Sequence, residues 1–171
     1  SDGRSGIAIG DRGWAKSVID LMAAAPDAEI TNAHEILEPL RAIKDGDELA
    51  IMRRASWLTD DVYAAILPRL ELGMSERDIA WVIDREIQRH APDGVSFHTG
   101  IRIGGNVTRP GSIHDSLTET TLQRGAVLAF DFGMLLDGYC SDFGRTVFIG
   151  EVTDERRDVY DLVIRAQSAA I

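Results

Sequence analysis

The chain has 171 residues, 44% of them hydrophobic and 27% charged, the composition of a globular protein able to bury a sizeable core. Its formal net charge of −10 argues against nucleic acid or an anionic membrane as a partner, and no apolar run approaches the ~20 residues needed to span a bilayer. A single cysteine, Cys140, excludes an internal disulfide and fits a reducing, cytoplasmic setting.

The start, Ser-Asp-Gly-Arg-Ser-Gly, has neither an initiator Met nor the basic-then-apolar pattern of a secretory signal, and is not expected to be the native start. Gly6-Ile-Ala-Ile-Gly10 predicts a short buried strand, followed by a helix over roughly 14–24 that Pro26-Asp27 ends. Glu29-Ile30-Thr31-Asn32 predicts a second strand. Such a β-α-β fragment is too short to close a core alone, so residues 1–42 are expected to be the tail of a small α/β domain plus a linker. Lys16, Ser17 and Asp20 read as a solvated face.

His34 to Ile43 predicts a linking helix. Asp45 or Asp47 can cap a long helix whose apolar positions Leu49, Met52, Ala55, Leu58, Val62, Ala65 and Ile66 have helical spacing, with Pro68 and Gly73 ending it. Ser75 and Asp78 form a weaker variant of a capping box for a helix over 80–90. The Met, Trp and Leu stripes of these helices read as core. His90, in a last turn, can face helix carbonyls and has no catalytic role. Residues 95–104 predict a strand with Phe97, Thr99, Ile101 and Ile103 on one face and His98, Gly100 and Arg102 on the other. A turn at Gly104-Gly105-Asn106 then leads into a polar loop reaching His114.

The most informative stretch is 129–150, AFDFGMLLDGYCSDFGRTVFIG. Val127 to Leu135 is apolar except for Asp131, Tyr139 to Ile149 alternates, and Asp137-Gly138 between them supplies the positive φ values of a tight hairpin turn. With a two-residue loop, Leu136 pairs with Tyr139, Gly133 with Asp142 and Asp131 with Gly144. Side chains alternate with period two, so Asp131 and Asp142 fall on one face, each opposite a glycine that leaves space. Two carboxylates in an apolar hairpin repel and lose hydration unless cations or protons compensate. Hard divalent ions take oxygen ligands, and two of them about 3.5–4 Å apart can share a bridging carboxylate. This face reads as half of a two-metal site; the alternative is one aspartate capping a turn or pairing with Arg145 and the other solvated. Alternation puts Cys140 on the same face, where a packed small apolar residue is the simpler expectation. Both Asp-Phe-Gly triplets lack the companion motifs of a kinase. After Gly150, Thr153 caps a final helix over 155–171.

Asp131 and Asp142, with ten residues between them in DFG…DGYCSDFGRT…G, resemble the first metal-ligand signature of the M24 metallopeptidases, the pita-bread enzymes. The Gly138-Tyr139-Cys140-Ser141-Asp142 run followed by Arg145-Thr146 is most similar to the prolidase and aminopeptidase P (Xaa-Pro peptidase) branch. His114, seventeen residues before Asp131, falls where that branch carries an active-site histidine. Two departures are Gly144, where threonine is usual, and the absence of a proline directly before His114.

The resemblance implies an α+β pita-bread catalytic domain of which residues 43–171 are the first half, preceded by the end of a creatinase-type N-terminal domain. It implies that Asp131 binds one of two divalent ions (Mn, Co, Zn or Fe), that Asp142 bridges both, and that His114 contacts substrate or stabilises the tetrahedral intermediate. His98 reads equally as a substrate-rim contact or an ordinary strand histidine. The reaction implied is hydrolysis of N-terminal peptide bonds, with Xaa-Pro the expected substrate, a small peptide as the only partner class, and a homodimer when full length. The family completes its site with a histidine and two glutamates from its second half, so this chain is expected to be an inactive fragment. Alternatives are an M24-fold amide hydrolase or lyase, or a non-catalytic binding module.

Overall fold

The computed structural model describes residues 6–91, 93–104, 113 and 116–171; the turn expected at Gly105-Asn106 and the candidate His114 lie outside them. By its internal contacts the chain divides into two compact units, Ser1–Gly46 and Asp47–Ile171.

In the first unit, strands β1 (Gly6–Ile9) and β2 (Glu29–Asn32) pair in parallel from Gly6↔Glu29 to Ile9↔Asn32. Helix α1 (Ala15–Ala24) makes the crossover that parallel neighbours require. Helix α2 (His34–Ala42) follows, its first N–H donating to Asn32 Oδ1 at 2.7 Å. Neither helix buries a residue fully, and Lys16 and Asp20 form the exposed i,i+4 pair of a solvated face.

The second unit is built on two long helices. Helix α3 (Gly46–Ile66) buries Ala55, Thr59, Val62 and Ile66, spaced to form one stripe. A 3₁₀ turn at Leu67–Arg69 follows where Pro68 removes a backbone donor. Helix α4 (Glu76–His90) starts four residues before the expected position, because the capping box at Ser75 is complete. Asp78 N donates to Ser75 Oγ at 3.2 Å and Ser75 N to Asp78 Oδ2 at 2.8 Å. Its buried stripe is Ile79, Ala80, Ile83 and Ile87, with Glu76 and Glu86. Glu76, fully buried, accepts from Ile103 N at 3.0 Å and from the N–H and hydroxyl of Thr118, each at 2.8 Å. A buried charge is tolerable only with such partners.

Strands β3 (Gly100–Gly104), β4 (Val127–Phe132) and, after a small two-stranded tip of β5 (Leu135–Leu136) and β6 (Tyr139–Cys140), β7 (Phe143–Phe148) form the main sheet. It is antiparallel in the order β3-β4-β7. Leu128, Phe130 and Phe132 alternate inward on β4 and join Ile101, Phe143 and the helix stripes in one core. Tyr63 of α3 meets Phe130 edge-on at 5.7 Å and Phe143 at 5.1 Å; each buried ring contributes roughly 1.5–3 kcal/mol. Helix α5 (Asp154–Ala170) is capped by Thr153, with Tyr160 packed at 5.8 Å on Phe148.

Four expectations are corrected. Strand β1, expected to be buried, has Gly6 and Ala8 exposed and no buried residue. The strand expected over 95–104 begins only at Gly100, because Val95 bridges Met134 and Ser96 N donates to Gly133 O, which takes that segment out of the ladder. Trp57 and Trp81 are exposed, not core; the Arg85 guanidinium stacks 4.7 Å over the Trp81 ring. Cys140 is likewise exposed instead of packed.

Candidate metal centre

The hairpin turn has the geometry its sequence demands. Asp137 and Gly138 both take positive φ, +50° and +83°, as a type I′ turn requires. Leu136 pairs with Tyr139 and Leu135 with Cys140 at the tip, and beyond the gap Phe132 pairs with Phe143 and Asp131 with Gly144. The register is therefore unbroken from turn to main sheet, with no residue inserted in either arm.

Between tip and sheet the regular main-chain ladder breaks. Ser141 N donates to Met134 O at 3.0 Å, but the Met134 N–H, also at 3.0 Å, goes to the Ser141 hydroxyl instead of a carbonyl. Ser96 Oγ donates to Ser141 O at 2.9 Å, and Ser141 Oγ lies 2.7 Å from Thr59 Oγ1 of α3. The chain crosses so closely here that a Cβ on Gly133 would stand 2.0 Å from the Ser141 carbonyl oxygen. Gly133 thus corrects one expectation: it does not leave open space opposite Asp142 but lets two backbones touch. Gly144 does leave space, since a Cβ there would meet nothing nearer than Phe130 O at 3.9 Å.

Asp131 occupies the middle strand of the sheet, with Gly100 of β3 opposite on one side and Gly144 of β7 on the other. Both flanking positions lack side chains, so the half-buried carboxyl stands in a gap that either neighbour would otherwise fill. It projects on the face opposite the core, in line with Ala129 and Val127; Arg102 and Thr146 flank Ala129 one step along. Asp142 precedes Gly144 by two residues and is exposed. It lies one residue before β7, outside the paired ladder. His98, exposed and two residues ahead of Gly100, precedes β3. Arg145 lies 4.1 Å over the Phe143 ring and 4.0 Å from Asp60, on the other row of the sheet. Burial pushes the Tyr63 phenol upward, and Arg145 partly offsets it.

Carboxylates are the donors that hard divalent ions prefer. Among the described residues no group of three or more His, Cys, Asp and Glu side chains gathers to hold an ion. As a donor set, two carboxylates suit one edge of such a site. The Ser141–Thr59–Ser96 interlock was not anticipated from the sequence. Its one signal was Thr59, a polar residue between Ala55 and Val62 in an apolar stripe, which must find a partner when buried.

Residues 50–171 match metallopeptidase family M24. The chain is 32% identical over 151 residues to the Bacillus subtilis protein YkvY, covering 88% of this chain and 41% of that protein. A dipeptidase from Pyrococcus horikoshii superposes with a TM-score of 0.86 at 31% identity, over 96% of this chain and 45% of its own. A prolidase from Thermococcus sibiricus superposes at 0.84 and 29% identity, over 98% and 46%. The chain thus spans less than half the length of these relatives.

Proposed function

The chain belongs to metallopeptidase family M24, with part of the pita-bread fold, and from that premise we propose that Asp131 and Asp142 are the first two ligands of a dinuclear centre that hydrolyses N-terminal peptide bonds. One observation carries the proposal: within the matched span, the register sets Asp131 opposite Gly144, two residues from Asp142. Asp131 would hold one ion and Asp142 would bridge both. When bound, such ions lower the pKa of water and polarise a carbonyl. His114 would contact the substrate or donate to the charge that develops on the scissile carbonyl, and His98 would stand at the rim.

Xaa-Pro peptides are the substrates we favour, supported by the likeness to a prolidase and a dipeptidase. Two carboxylates do not select among Mn²⁺, Co²⁺, Zn²⁺ and Fe²⁺. Residues 1–42 would be the end of a smaller N-terminal domain and its linker, 43–171 the first half of the catalytic domain, and the full-length protein a cytoplasmic homodimer. The test is Ala-Pro hydrolysis by the intact gene product with Mn²⁺. Chelator should abolish turnover, and Asp131→Asn or Asp142→Asn should lower kcat/KM by at least about 100-fold, the upper end of the loss seen for groups that only support a ligand. Chelator-resistant turnover, or full activity in either variant, would refute the proposal.

A further inference from the structure

Asp142 sits one peptide unit beyond Ser141, and Ser141 is fixed at every polar atom. Its N–H donates to Met134 O, and its carbonyl accepts from Ser96 Oγ. Its hydroxyl accepts from Met134 N at 3.0 Å and lies 2.7 Å from Thr59 Oγ1. Thr59 has one hydroxyl hydrogen, directed to Ala55 O at 2.8 Å. The shared proton therefore belongs to Ser141, which gives a single directed chain from Met134 N–H through Ser141 and Thr59 to the α3 backbone. Both side chains are buried, Thr59 at 1% exposure and Ser141 at 5%.

An ordinary hairpin would need none of this, because its arms would pair through main-chain groups alone. Here the ladder is interrupted only at 133–134 and 141–142, Asp142 among them, and a helix of the core supplies the side chain that fixes the interruption.

We infer that Thr59 and Ser141 are positioning residues: their buried hydroxyl pair ties the peptide that carries Asp142 to helix α3 and so sets where that carboxylate stands relative to Asp131. The inference rests on reading Asp131 and Asp142 as metal ligands.

The experiment is a Mn²⁺ titration of the protein by the electron paramagnetic resonance of the free ion, paired with thermal unfolding. The variants are Thr59→Val, Thr59→Ser, Ser141→Ala, Asp142→Asn and, as a packing control one turn along α3, Val62→Ala. Thr59→Val keeps the side chain's shape, so the comparison stands even if Ser141→Ala does not fold. Loss of the hydroxyl pair should weaken Mn²⁺ binding about 10-fold or more, as removal of a group behind a ligand commonly does. Thr59→Ser should bind as the wild type does, and Val62→Ala should unfold at lower temperature with its affinity unchanged. Wild-type affinity in Thr59→Val alongside weakened binding in Asp142→Asn overturns the positioning role alone. So does a Val62→Ala affinity loss equal to that of Thr59→Val. Wild-type affinity in Asp142→Asn overturns the ligand assignment, and the positioning role with it.

Discussion

Two glycines in the hairpin do opposite things, and a methyl group tells them apart. At Gly133 an added Cβ would stand 2.0 Å from the Ser141 carbonyl and 2.4 Å from Ser96 Oγ, which the backbone can accommodate only by separating the arms. Gly133→Ala should therefore destabilise the protein by several kcal/mol, at or above the usual cost of overpacking, read as a lower urea midpoint. Gly144→Ala, with 3.9 Å to its nearest atom, should keep the stability within about 1 kcal/mol of wild type. Equal effects in the two would contradict the close crossing. The sequence supports the pairing of Asp131 with Gly144, since Asp137-Gly138 defines the turn and period two does the rest. The interlock was not legible, because a hydroxyl that replaces a carbonyl as acceptor leaves no periodic trace, and Thr59 and Ser141 are 82 residues apart.

At the scale of elements, boundaries followed local chemistry wherever local chemistry was complete. The reciprocal Ser75–Asp78 bonds start α4, and Thr153 starts α5. The Ser75 hydroxyl and N–H hold the exposed Asp78 carboxyl below its ordinary value of 3.8. Because the folded state lowers that value, the cap's stabilisation is complete above about pH 5 and is lost as pH falls through the depressed value. The difference in urea midpoint between wild type and Asp78→Asn should be constant from about pH 5 to 7 and shrink below 3.8. A difference that stays constant to low pH would show that the carboxylate is not what the cap uses. Elements were misread where a distant partner overrode local pattern. Residues 95–99 have strand-like alternation, yet Val95 and Ser96 pair with Met134 and Gly133, and the strand proper waits until Gly100. Trp57 and Trp81 have helical spacing like their neighbours, but the buried stripes are filled by smaller side chains at 55, 59, 62 and 66 and at 79, 80, 83 and 87.

For the molecule as a whole, the division into Ser1–Gly46 and Asp47–Ile171 puts both candidate ligands, their sheet and the helix that fixes Ser141 in one unit. That unit contains the whole of the span matching family M24. The family was legible because the Asp131–Arg145-Thr146 stretch resembles one signature, and residues 50–171 match that family. The most direct measurement of the central claim is the anomalous scattering of Mn²⁺ in crystals of the protein soaked in that ion. An anomalous peak within about 2.0–2.6 Å of carboxylate oxygens from both Asp131 and Asp142 is the predicted result. Carboxyl groups on opposite faces of the ribbon, or Mn²⁺ held elsewhere and at neither aspartate, would contradict it.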